Sequence, residues 1–110
     1  PSLVDGIHVV NTETIPGFVI QDQLGVVSGS TVRAKNVVRD ISQMLKNIVG
    51  GELHQYTNLL IESRNEAFSR MLEDAKARGA NGVVNLRFAT SAVSPGAAEL
   101  FCYGTAVIVE

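Results

Sequence analysis

Apolar and polar positions change period several times along the chain, and each change marks an element. Leu24 to Val27 is apolar and β-branched, the composition of a half-buried strand, with Gly25 inside it as a bulge or close-approach signal. Ser28, Gly29, Ser30 and Thr31 follow as four small residues and read as a loop. From Asn36, an N-cap type, Val37, Ile41, Met44, Leu45 and Ile48 recur at spacings of three and four and share one helical face. Arg39, Asp40, Ser42, Gln43 and Lys46 take the other face, Gly50-Gly51 supply a stop, and Glu52 opens the next helix.

That second helix is predicted over Leu53 to Arg78, a run without Gly or Pro. Leu53, Tyr56, Leu60, Ala67, Met71 and Ala75 form its apolar stripe, widened by Leu59, Phe68 and Leu72. Glu66 with Arg70 and Asp74 with Arg78 stand four apart with the acid first, the favourable order. At 1.5 Å per residue this helix is about 40 Å long against a domain width of roughly 30 Å, so its end is expected to overhang.

Before these helices, residues 1–6 read as a loose lead and Ile7 to Asn11 as a strand. Thr12 to Gly17 is a turn around Pro16, and Phe18, Ile20, Leu24 and Val26 alternate along a second strand, expected to pair with the first as an antiparallel hairpin. After the helices, Val83, Val84, Leu86 and Phe88 make a strand, Ser94-Pro95-Gly96 a turn, and Ala97 to Val109 a returning strand. Both faces of the last strand are apolar: Leu100, Cys102, Ala106 and Ile108 on one, Phe101, Tyr103, Val107 and Val109 on the other. The second face needs the shorter helix or a neighbouring subunit. The order ββααββ predicts an α+β domain over residues 1–110 with a mostly antiparallel sheet, one short helix and one long one.

Composition narrows the function classes. At 110 residues with 45% hydrophobic and 18% charged positions, the chain is long and apolar enough for one folded core. A net charge of -2 and six Phe and Tyr without Trp supply neither a basic face nor a stacking platform for nucleic acid. One cysteine makes no internal disulfide, and with neither a signal-peptide pattern nor a long apolar run a membrane partner is not expected and the reducing cytoplasm is.

The candidate chemistry is sparse. Gly25 to Thr31 lacks the lysine of a phosphate-binding G-x-x-x-x-G-K-[ST] loop. Ser28, Gly29, Ser30 and Thr31 with the cations Arg33, Lys35 and Arg39 nevertheless form an expected small-anion site. His8, His54, Cys102, Asp5, Glu13, Glu52 and Glu99 are possible metal ligands, but none stands at a ligand spacing from another, so a metal would need ligands repeated around a symmetry axis between subunits. His54 could approach the Ser28–Thr31 loop, yet no residue is assigned as catalytic and no cofactor is implied.

The segments TETIPG (12–17), LGVVSGSTVRAKNVVRDI (24–41), LKNIVGGEL (45–53), ARGANGVVNLRF (77–88) and GAAELFCYGTAVIVE (96–110) resemble the YbjQ family, also labelled a heavy-metal-binding domain. Gly82 stands where the family's signature has alanine, and Pro95-Gly96 replaces a more polar turn. The resemblance implies a dodecin-like subunit that closes into a ring, a pentamer, and it brings no established activity. The reading that follows is a non-enzymatic homo-oligomer binding a small ligand or anion between subunits. Its alternatives are a heavy-metal binder with inter-subunit ligands and an enzyme of unspecified reaction.

Overall fold

The computed structural model describes residues 3–33, 52–94 and 97–110, with side chains for 3–31, 61–90 and 99–110. The expected helix from Asn36, its Gly50-Gly51 joint and the Pro95-Gly96 turn lie outside the described residues. Strands β1 (Leu3–Val4), β2 (Ile7–Val9), β3 (Ile20–Arg33), β4 (Gly82–Ser94) and β5 (Ala97–Val109) form one mixed sheet in the order β1-β2-β4-β5-β3, and helix α1 (Glu52–Ala77) packs across it. Among the described strands only β2 and β4 run parallel, so the α+β reading with a mostly antiparallel sheet holds.

The start of the chain is a strand where a loose lead was expected. Asp5 and Gly6 both take positive φ (50° and 82°), the turn that reverses β1 into β2. The expected hairpin between Ile7–Asn11 and the segment from Phe18 does not form. Instead β2 lies beside β4, with His8 opposite Gly82, and β3 pairs along β5 from Ile20 opposite Val109 to Arg33 opposite Ala98. The segment around Pro16 is too long for a tight hairpin turn. It crosses the sheet and buries Ile15 with Val84, Val107 and Val109, with Phe18 packed alongside.

Ser28 to Thr31 are not a loop either. They sit inside the 14-residue β3, opposite Tyr103, Cys102, Phe101 and Leu100. Ser28, Gly29 and Ser30, poor strand formers, are held there because β5 completes their ladder and α1 passes directly over Gly29.

The helix matches its prediction to within a residue at each end, and its stripe is the core. Ala67, Met71, Leu72 and Ala75 pack with Ile7, Val9, Val27, Val83, Cys102 and Ala106. At about 1.5 Å per residue the 26-residue helix spans about 39 Å, and the 14-residue β3, at about 3.3 Å per residue, spans about 46 Å. The second face of β5 is covered by its own chain at Val107 and Val109. Farther up that face, Tyr103 is exposed.

Candidate functional site

Three side chains from α1 and the turn after it close the outer edge of β3. Arg70 donates to the Ser30 carbonyl, Asp74 Oδ2 accepts from the Ser28 N–H at 3.3 Å, and Arg78 donates to the Leu24 carbonyl at 2.9 Å. Arg70 and Asp74 stand four apart on α1, with Arg78 four further in the turn that follows it, and the acid-first pairs read from the sequence are present as Glu66–Arg70 and Asp74–Arg78. The pairs therefore do more than steady the helix: they satisfy backbone groups that an edge strand leaves unpaired.

This arrangement occupies much of the expected anion site. Ser28 gives its N–H to Asp74, Gly29 is buried under α1, and Thr31 is fully buried with its hydroxyl directed to the Leu100 carbonyl at 3.4 Å. Arg33 ends β3 opposite Ala98, and Lys35 and Arg39 lie outside the described residues.

The open surface lies at the same end of the sheet. On the helix side, Ile61, Arg64, Phe88 and Leu100 line a groove of about 270 Å³. Phe88 sits opposite the core residue Cys102 in the β4–β5 ladder, which fixes its face. Ile61 and Phe88 remain 40% and 41% exposed. On the other face, Val26 is exposed and Phe101 and Tyr103 form a tilted pair with ring centroids 5.7 Å apart. Sequence reasoning counted Phe88 and Leu100 as strand positions and passed over Arg64. A signal was available: at three and four residues from Arg64 stand Leu60, Ile61, Ala67 and Phe68, with no carboxylate to pair it.

The metal candidates do not converge among the described residues. Among the described residues no group of three or more His, Cys, Asp or Glu could hold an ion. Asp5 faces Lys76 at 3.8 Å, Glu13 is exposed, and His54 and Glu52 have no described side chain. His8 packs tilted against Phe18 with ring centroids 4.5 Å apart and keeps a buried Nδ1 without a hydrogen bond. Cys102 lies against Met71 with Sγ to Sδ at 3.5 Å. Burial pushes that thiol up to about 11, away from the thiolate a metal requires. The described residues thus do not fit a heavy-metal site within one chain. No helix among them is long and apolar enough to cross a membrane.

The fold is similar to that of a Pediococcus pentosaceus protein of unknown function from the DUF74 family, with a TM-score of 0.60 at 17% identity over 96% of this chain and 99% of that one. A UPF0145 protein of Hahella chejuensis is 60% identical over 102 residues, covering 93% of this chain and 98% of its own. A UPF0145 protein of Thermococcus kodakarensis is 52% identical over 107 residues, covering 97% and 95%. With a family model described as "Putative heavy-metal-binding" matching residues 7–110, the chain belongs to the YbjQ family.

Proposed function

We propose that the chain acts as a non-enzymatic homo-oligomer, a ring of five as the family resemblance implies, that holds a small anionic ligand between subunits. One observation carries this reading. At the end of the sheet formed by Phe88 and Leu100 to Tyr103, apolar side chains stand on both faces, with Ile61, Phe88 and Leu100 on the helix side and Val26, Phe101 and Tyr103 on the other. Val26, Ile61, Phe88 and Tyr103 are exposed and Leu100 and Phe101 half-buried, and a sheet exposed on two apolar faces gains free energy by burying them against another copy. Arg33 lies at this same end, and with Lys35 and Arg39 it supplies the cations of the expected anion site.

Native mass spectrometry of the purified chain tests the reading. A defined oligomer carrying small-molecule mass supports it, and a compact, folded monomer at micromolar concentration overturns it. Metal held by ligands from several subunits would instead give an X-ray fluorescence signal that survives dialysis.

A further inference from the structure

Four arginine side chains are described, and three are engaged. Arg70 holds the Ser30 carbonyl and Glu66, Arg78 holds the Leu24 carbonyl and Asp74, and Arg87 holds the Asn11 and Leu86 carbonyls. Arg64 makes no such contact among the described residues. Among the described residues it is also the one charged side chain lining the apolar groove with Ile61, Phe88 and Leu100. The neighbouring acid on β5, Glu99, belongs to the opposite face, since successive strand residues alternate and Leu100 faces the helix.

We infer that this groove binds a small monoanionic amphiphile, a carboxylate on a short aliphatic or aromatic body, with the body against Ile61, Phe88 and Leu100 and the carboxylate on Arg64. The inference deepens the small-anion reading and rests on it. A guanidinium is a planar fork that pairs a carboxylate through two parallel hydrogen bonds, and its aliphatic stem packs on apolar surface. The volume limits the body. At about 270 Å³ the groove lies just below the range of about 300–1,000 Å³ usual for drug-sized ligands, which fits a six-carbon chain or a single ring. An inorganic anion leaves the apolar wall wet, and a neutral body leaves Arg64 unpaired, so only the combination satisfies both parts.

The test uses hexanoate, acetate and 1-hexanol as probes on the full chain, by titration calorimetry and amide chemical shifts. Saturable hexanoate binding is expected, with shifts at Leu100, Phe88 and residues beside Arg64, and with acetate and 1-hexanol each at least about tenfold weaker. Arg64→Gln should bring hexanoate down to the level of 1-hexanol, a loss of about tenfold or about 1.4 kcal/mol, and Arg64→Lys should recover part of it. Arg64 is exposed and off the core, so an unchanged melting temperature is expected for both variants. Absence of hexanoate binding, equal binding of acetate, or equal affinity in Arg64→Gln overturns the assignment. Sedimentation of the same samples separates the two claims: an oligomer that ignores hexanoate removes the groove alone, and a monomer that binds it removes the assembly alone.

Discussion

Gly29 lies directly beneath Ala67. A Cβ at position 29 would come under 3.0 Å from the Ala67 carbonyl oxygen and the Met71 nitrogen, so strand and helix touch backbone to backbone there. Both obstacles are main-chain atoms, which move only if the helix lifts. Gly29→Ala should therefore cost about 3 kcal/mol, at the upper end for overpacking. The adjacent Ser30→Ala, on the open face, should stay within about 0.5 kcal/mol. Urea unfolding of the two variants checks the contrast, and a Gly29→Ala midpoint equal to that of the native chain would refute the close crossing.

Asp74 links the same two elements at the sheet's edge. Its Oδ2 accepts the outward Ser28 N–H while Oδ1 faces Arg78 Nε at 3.3 Å. Asp74→Ala leaves Ser28 with a bare edge amide and releases Arg78 from its helical partner. Amide exchange at Ser28 should accelerate, and the variant should associate more readily with rising concentration, because an uncapped edge strand pairs with other chains. Exchange at Ser28 that matches the native protein would show that another group caps the strand.

How much of this was readable in advance follows from where each signal resides. The pattern of α1 is local: no breaker interrupts 53–78, and the positions that bury, from Ala67 to Ala75, repeat at helical spacing. β3 was cut short because Ser28-Gly29-Ser30-Thr31 has loop composition, and the partners that hold it, Tyr103 to Leu100, lie about seventy residues away. Gly29 is required by a helix crossing that no window of sequence contains. The Asp5-Gly6 turn was a missed local signal, since Asp-Gly between apolar pairs is a strong hairpin mark. The parallel contact of β2 with β4 is non-local. In the groove, Arg64 was legible as a helical cation without an acid, whereas its meeting with Phe88 and Leu100 depends on the register of β4 and β5.

Asn81 ties the end of β5 to the turn after α1. Its Nδ2 donates to the Val109 carbonyl at 2.9 Å, its Oδ1 accepts the Val109 N–H at 2.8 Å, and its own carbonyl accepts from His8 at 2.9 Å. The side-chain amide thus stands in for a strand at this point. Asn81→Asp keeps the acceptor but turns the donor into an oxygen facing a carbonyl, which should cost about 2 kcal/mol at neutral pH. Acid reverses part of the loss, because a protonated carboxyl donates. The melting-temperature gap between variant and native chain should narrow as the pH falls, and a gap that widens on acidification would count against the paired geometry.

Cys102 supplies the pH dependence on the alkaline side. Burial among Met71 and its neighbours pushes the thiol from its ordinary 9.0 to about 11, because the thiolate is poorly solvated there. Below pH 9 both folded and unfolded chains keep the proton, and Cys102 leaves stability independent of pH. Between pH 9 and about 11 the unfolded chain releases the proton first, so the native state loses stability as pH rises through that window. Cys102→Ala isolates the thiol: the variant starts less stable because a buried group is gone, but its stability should fall less steeply above pH 9 than the native chain's. Iodoacetamide at pH 8 gives an independent reading. Native Cys102 should label only as fast as the core opens, with the rate rising across the urea transition, and stoichiometric labelling within seconds in native buffer would mean that the thiol is not in the core.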